Sequence, residues 1–337
     1  MKTVLVTHPS SLLHVGPEDH PERPDRVRAA VAGVRSSSTT VVDAEARAAT
    51  RPELLRVHDA SFVDQLHDFC VRGGGQIDAD TFAVPESWNA ARFAAGAGLS
   101  AIEVIASGDA DVGFAAIRPP GHHAERDRTM GFCLLNNIAV AAAYLVSRGR
   151  RVAIVDWDVH HGNGTQEIFL RSPDVLYISL HRSPFYPRTG RVEEVGKGLG
   201  TGATVNIPLP SGSGGDTYRS AVARLVTPIL KQFDADWVLV STGYDGHVDD
   251  PLGGMRLGPD DYRAMSAAIS RSIGRTNTVF FLEGGYDLRA ITESTTATLD
   301  GFASPGVDSG ADLGPNAAID RLLPVLTLFW DLDQGPR

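Results

Sequence analysis

Short apolar runs rich in β-branched residues recur along this chain, separated by longer stretches with helical apolar spacing. Residues 3–7, 112–117, 152–155, 175–180, 237–241 and 278–282 are short, largely apolar segments bounded by polar or glycine-containing loops, and 204–207 is a further candidate strand. Runs this short without alternation fit strands buried on both faces, as in a parallel sheet. Helices are predicted over 25–35, 86–107, 136–147, 216–233 and 259–272, with a short one after Thr165 and a last one from Asp287. Leu54, Leu55, Val57, Phe62, Val63, Leu66 and Phe69 give helical spacing within 52–69. The loop 14–26 is too rich in proline to be helical at its start. Residues 73–85, opening on three glycines, read as a flexible surface loop, 304–315 as a surface connection and 316–330 as a closing helix. Alternating strands and helices predict an α/β fold, a mainly parallel sheet covered on both faces. With no internal repeat and no linker before the tail, one domain over 1–337 is expected, its chemical motifs within 118–286.

In open α/β sheets, sites form outside the carboxyl ends of the strands. Four of the apolar runs end in chemically loaded loops. These are Arg118-Pro-Pro-Gly-His122-His123, Asp156-Trp-Asp158-Val-His160-His161-Gly-Asn163-Gly-Thr165, Thr242-Gly-Tyr-Asp245-Gly-His247 and Glu283-Gly284-Gly285-Tyr286. A lone D-x-D-x-H would read equally well as a polar loop capping the next helix. Four such loops on one expected edge form a coherent site.

If extended geometry persists past Val155, Asp156, Asp158 and His160 share one side. Asp158 and His160, with Asp245 from another strand, offer a mixed oxygen and nitrogen set that leaves positions open, as catalytic zinc requires. His122 and His123 suit a hydrolysis that needs a base and then an acid. Asp156 and Asn163, one charged and one neutral, are partners that would separate the two imidazoles' proton affinities. Tyr286 could donate its phenolic proton to a developing oxyanion. His161 and His247 are read as structural or solvent-facing, Asp249 and Asp250 as a solvated loop, and Cys133 as an inert buried thiol.

Composition narrows the classes. A net charge of −10 and a pI near 5.5 argue against a nucleic-acid surface and suit a cationic small molecule or a basic peptide. Two cysteines are too few for a disulfide framework, so a reducing cytosol is expected. The apolar N-terminal run is too short for a signal peptide and no run reaches transmembrane length. A cytoplasmic protein without nucleic-acid or membrane partners is the expectation.

With these motifs in order, from about His20 to about Asp300, the chain resembles the zinc-dependent histone deacetylase family. That family includes bacterial histone deacetylase-like amidohydrolases and acetylpolyamine amidohydrolases. The motifs that carry the resemblance are Arg118 to Ala124, Gly131-Phe-Cys133, Asp156 to Thr165, Asp245 in Ser-Thr-Gly-Tyr-Asp, and Glu283 to Tyr286. The resemblance implies the arginase/deacetylase fold, with an eight-stranded parallel sheet, and cleavage of an acyl amide to a free amine and a carboxylate.

It further implies Zn2+ on Asp158, His160 and Asp245, a set that accepts Fe2+ as well. His123 becomes general base and acid beside His122, which pairs with Asp156, and Tyr286 the transition-state tyrosine. Phe132 and Tyr186 become aromatic walls around an acyl-lysine stem, Gly131 the acceptor for the substrate amide, and Gly284 and Gly285 substrate-contacting residues. Arg26 falls in an inner cavity behind the zinc and Asp80 at the rim. A structural K+ would use Asp156, Asp158, His160, Ser179 and Leu180. Asn163 within His-Gly-Asn-Gly-Thr is the form of the class II-like and bacterial branch. Leu252 stands where polyamine-selective relatives carry an acidic gatekeeper. The expected substrate is therefore N-ε-acyl-lysine or a similar acylated amine. An acetylpolyamine amidohydrolase is the alternative, and a catalytically inactive acyl-amine-binding protein follows it. The resemblance leaves a homo-oligomer open.

Overall fold

The computed structural model describes residues 1–274, 277–306 and 315–332. Its strands are β1 (Lys2–Thr7), β2 (Thr40–Glu45), β3 (Gly75–Gln76), β4 (Phe82–Ala83), β5 (Val112–Ala115), β6 (Val152–Asp156), β7 (Val175–Arg182), β8 (Thr204–Leu209), β9 (Trp237–Thr242) and β10 (Asn277–Leu282). Eight of them form one sheet in the order β2-β1-β5-β10-β9-β6-β7-β8, every pairing parallel.

Seven of the eight follow the apolar runs; β2 does not. It lies at the sheet edge with a half-exposed face, and of its six residues only Val41, Val42 and Ala44 are apolar. Buried on one side only, it lacks the continuous apolar run of the inner strands.

Side chains on each inner strand alternate between two cores. Val152 and Ile154 of β6 enter one cluster, whereas Ala153 and Val155 enter the other. The first cluster is covered by the helices Ser87–Ala106 and Asn137–Val146. The second is covered by Asp25–Ser36, Pro259–Ile273 and Leu288–Ala303. The Asn137–Val146 helix starts where the Asn136 side chain accepts from Ala139 N at 3.0 Å, satisfying an amide that lacks an intrahelical partner. Asp287 caps Leu288–Ala303 in the same way, accepting from Ala290 N at 2.7 Å.

Four predicted segments are corrected. The helical spacing in 52–69 breaks into Arg51–Leu54 and Ala60–Val71. Between them His58 is buried, its Nδ1 2.9 Å from Glu125 O and its Nε2 accepting from Asn136 N at 2.9 Å, which holds the chain out of the helix. Residues 73–85 are not simply a surface loop: they carry the β3–β4 hairpin, with Phe82 and Ala83 buried. The helix predicted over 216–233 contains a π-turn, Val222–Val226, just before Pro228. Proline has no N–H for the carbonyl one turn back, so the ladder must shift there. The closing helix is two short ones, Ala317–Asp320 and Leu323–Leu326. Part of the expected connection 304–315, and the last residues of the tail, lie outside the described residues. Among the described residues no helix is long and apolar enough to cross a membrane.

The four loaded loops follow β5, β10, β9 and β6. These strands are consecutive neighbours at the centre of the sheet, so their carboxyl ends deliver all four loops to one place.

Candidate active site

The register of β6 against β9 sets Asp156 opposite Ser241. Two and four residues later Asp158 and His160 leave the strand toward Asp245 from the β9 loop. Ligand atoms of Asp158, His160 and Asp245 all lie within 4.8 Å of one another. His160 Nδ1 is 3.1 Å from Asp158 Oδ1 and 3.0 Å from Asp245 Oδ2. The carboxylates' other oxygens are held by backbone amides: Gly284 N donates to Asp158 Oδ2 at 2.7 Å and Val159 N to Asp245 Oδ1 at 2.9 Å. Both carboxyl groups are fully buried. Burial and the neighbouring Asp158 charge push Asp245 up to about 7. Gly284 cannot be replaced, because a Cβ there would stand 2.2 Å from Asp245 Oδ2.

The adjacent histidines sit in different electrostatic settings. His122 Nδ1 is 3.0 Å from Asp156 Oδ2, which also accepts from the Tyr177 hydroxyl at 3.1 Å. Burial alone would lower the His122 pKa, but the Asp158 and Asp156 carboxylates outweigh it and raise it to about 10. His123 Nδ1 faces the neutral Asn163 Oδ1 at 2.8 Å. Asn163 Nδ2 donates to Glu125 Oε1 at 2.7 Å, which orients the amide oxygen toward the ring and places a proton on His123 Nδ1. Burial, with His122 and His160 nearby, lowers the His123 pKa well below its ordinary value. One imidazole is thus held cationic and the other neutral.

A cavity of about 470 Å³ opens above this cluster, lined by His123, Gly131, Phe132, His160, Phe185, Tyr186, Leu252 and Tyr286, with His20, Pro21, Ala79 and Asp80 toward the mouth. Phe132 stands edge-on to Tyr286 at 5.9 Å, and Phe185 stacks on His160 at 5.0 Å. Gly131 adopts a positive φ of 56°, and a Cβ there would meet His123 Cδ2 at 2.4 Å. Only glycine brings this wall so close to the imidazole. Tyr186 and Leu252 are 37% and 39% exposed, which puts both at the rim. Beyond Ala79, Asp80 and Tyr186 the cavity continues into an open groove of about 770 Å³, floored in part by Phe62, Leu66, Ile77 and Met130.

Other expected site residues fall behind this cavity. Gly284 and Gly285 do not line it; Gly284 packs on the two carboxylates and Gly285 gives its carbonyl to Arg26 Nε at 2.5 Å. Arg26, fully buried, has its guanidinium carbon 5.0 Å from the centre of the Tyr286 ring. Ser179 lies opposite Asp156 in the β6–β7 register and Leu180 follows, both buried. His161 is buried between Thr189 Oγ1 and Gln166 Oε1 at 2.7 and 3.0 Å, and His247 accepts from Asp249 N. Both are structural. Cys133 is buried and its thiol pushed well up by that burial.

Asp250 is the residue whose reading changes. It does not belong to a solvated loop: it is 8% exposed and accepts three backbone amides, those of Leu252, Gly253 and Tyr286. Its neighbour Asp249 is exposed.

Two buried glutamates, Glu283 and Glu22, carry roles that the sequence reading did not give them. Glu283 accepts from Gly121 N at 2.7 Å, His122 N at 3.2 Å and Ser241 Oγ at 3.2 Å, so it shapes the histidine loop. Glu22 binds Arg26 Nη1 at 2.8 Å and Arg118 Nη2 at 2.6 Å, with His14 Nε2 3.7 Å away. Burial works against its charge, yet Arg118 and Arg26 hold its pKa down at about 2.

Comparison with known proteins agrees with this geometry. Residues 20–302 match the family model described as the histone deacetylase domain. Histone deacetylase 15 of Arabidopsis thaliana is 43% identical over 94% of this chain, which spans 60% of that protein's length. A probable deacetylase of Archaeoglobus fulgidus is 36% identical over 96% of this chain and 92% of that protein. The crystal structure of the HDA15 HD domain is similar with a TM-score of 0.89 at 39% identity, covering 98% of this chain and 95% of that one. With the motifs, the eight-stranded sheet and these similarities in agreement, this chain belongs to the histone deacetylase family.

Proposed function

We propose that this protein is a zinc-dependent amidohydrolase that removes an acetyl or other acyl group from N-ε-acyl-lysine within a peptide. The observation that carries the reading is the convergence of Asp158, His160 and Asp245 beneath a cavity that His123 and Tyr286 also line. The donor set fits the metal: two buried carboxylates and an imidazole converge, and a divalent cation would offset the burial and the Asp158 repulsion that raise Asp245. When bound, zinc supplies Lewis acidity toward a carbonyl and lowers the pKa of a bound water.

The chain's own groups divide the remaining work. His123, neutral and carrying its proton on Nδ1, presents Nε2 to take a proton from the attacking water and return it to the leaving amine. Tyr286, kept protonated because burial pushes its phenol well up, donates to the carbonyl oxygen as negative charge develops there. Phe132 and Tyr186 flank the aliphatic stem and exclude water, while the Gly131 carbonyl accepts the substrate amide. Asp80, half-buried and raised by burial and by Asp78, serves the substrate backbone at the mouth. A structural K+ is assigned to Asp156, Asp158, His160, Ser179 and Leu180. The groove beyond Asp80 and Tyr186 offers room for more than a lone aliphatic amine, which favours a peptide substrate.

The test is the purified protein, with zinc and then with chelator, on an acetyl-lysine peptide and an acetylated polyamine in parallel. Chelator-sensitive acetate release from the peptide is expected. A strong preference for the polyamine would replace the peptide assignment and keep the chemistry. One bound zinc per chain with no turnover of any acyl amide would overturn the enzyme reading.

A further inference from the structure

Asp250 joins two loops that sequence places 36 residues apart. Its Oδ1 accepts from Leu252 N at 2.9 Å and Gly253 N at 3.1 Å, and its Oδ2 accepts from Tyr286 N at 2.7 Å. The peptide group whose N–H faces Asp250 is the one whose carbonyl, that of Gly285, accepts from Arg26 Nε at 2.5 Å. This single peptide plane is therefore gripped at both poles, by an anion on its N–H and a cation on its oxygen. Hydrogen bonds to charged partners are about twice as strong as neutral ones. The grip is needed because Gly285, at φ 113°, has no side chain to restrain the turn. Rotation about the Gly285 Cα–C bond would break both contacts and swing the Tyr286 Cα, and with it the phenol, across the cavity.

We propose that Asp250 is a positioning residue: it fixes the Tyr286 phenol over the reacting amide and ties that position to the rim residue Leu252. The proposal rests on the hydrolase reading given above for Tyr286. Among the described residues the Asp250 carboxylate hydrogen-bonds only to backbone amides, so it acts through Tyr286. An isosteric Asp250→Asn has one acceptor oxygen where the carboxylate has two. Either the Leu252 and Gly253 amides or the Tyr286 amide then faces an NH2 group.

A misplacement near 1 Å can cost on the order of 100-fold in rate, so Asp250→Asn is expected to lower kcat about 10- to 100-fold. KM for an acetyl-lysine peptide should change by less than about threefold and bound zinc should stay at the wild-type level, since uniform binding is untouched. In a Tyr286→Phe background the same substitution should cost less than about twofold, because effects that run through one group do not add. Equal losses in both backgrounds, or a kcat loss that only tracks lost zinc or folded protein, would overturn the proposal. Amide hydrogen exchange reads the positioning without turnover. In Asp250→Ala, or in Asp250→Asn should the alanine variant not fold, exchange should accelerate at both Tyr286 and Leu252. Unchanged exchange at Tyr286 would overturn the proposal. Accelerated exchange alongside an inactive wild-type protein would support the positioning while overturning the proposed function.

Discussion

His123 Nδ1 stands 2.8 Å from Asn163 Oδ1, a neutral amide in the place where a carboxylate would make the imidazole more basic. An opposite charge at this distance typically raises a histidine pKa by about 1–2 units. Asn163→Asp should therefore move the acid limb of the kcat/KM profile to higher pH by about that much, because His123 must be neutral to accept a proton. An unchanged acid limb, measured from pH 5 to 9, would remove His123 from the base role.

Tyr286→Phe keeps the ring against Phe132 and Arg26 and deletes only the phenolic donor. Losing one oxyanion donor costs on the order of 10²–10³-fold in kcat. Metal content by elemental analysis should match the wild type, so the loss belongs to chemistry rather than assembly.

Asp245→Ala removes one of the three converging ligands and leaves His160 and Asp158 facing each other. Zinc content after dialysis should fall to a small fraction of one per chain, with activity falling in step. Chelation of the wild type should reproduce the loss and lower Tm, because an ion that binds only the folded state stabilises it. Full activity in metal-free Asp245→Ala would refute the ligand assignment.

Acid should weaken the fold in two separate windows. His58, buried with both ring nitrogens engaged, is lowered from 6.5 to about 4. Below pH 6.5 the unfolded chain binds a proton the folded one refuses, so stability declines as pH falls toward 4 and this contribution is then flat. Glu22 is lowered from 4.5 to about 2; its contribution, on the order of 3 kcal/mol, is complete above pH 4.5 and is lost as pH falls toward 2. Urea melts across pH 8 to 3 should show the upper decline in the wild type and in Glu22→Gln. The lower decline should be shallower in Glu22→Gln, where Glu53, also lowered to about 2, still contributes; that variant is also less stable throughout because Arg118 and Arg26 lose their buried counter-charge.

Leu252→Glu places a carboxylate at the rim. The ratio of kcat/KM for an acetylated polyamine over an acetyl-lysine peptide should rise by up to about fivefold, the reach of a partly exposed ion pair. A ratio that does not move would take Leu252 out of substrate selection.

The centre of this site was legible in sequence because local pattern and chemistry coincide there. Asp156, Asp158 and His160 extend a run that is unmistakably a buried strand, and the other loaded loops end runs of the same kind. What escaped is tertiary in origin. Glu22 sits in a proline-rich segment among charged neighbours, while its partner Arg118 is 96 residues away. Asp250 follows another aspartate in a polar turn, and nothing local announces that Tyr286 N–H lies above it. Phe185, next to Tyr186, is seen to matter only when its ring stacks on His160. The edge strand β2 escaped because solvent on one face leaves it no continuous apolar signal.

β10, the last strand among the described residues, is laid into the middle of the sheet, between β5 and β9. A chain that stops short of β10 therefore holds two half-sheets, β2-β1-β5 and β9-β6-β7-β8, with nothing to join them. The open backbone edges of β5 and β9 stay unpaired until β10 emerges, and unpaired edges invite pairing with other chains. Tyr286 and its Asp250 contact come with that closing strand. Chains cut short of β10 should accordingly be insoluble rather than partly active, because the site is complete only once β10 joins the two half-sheets.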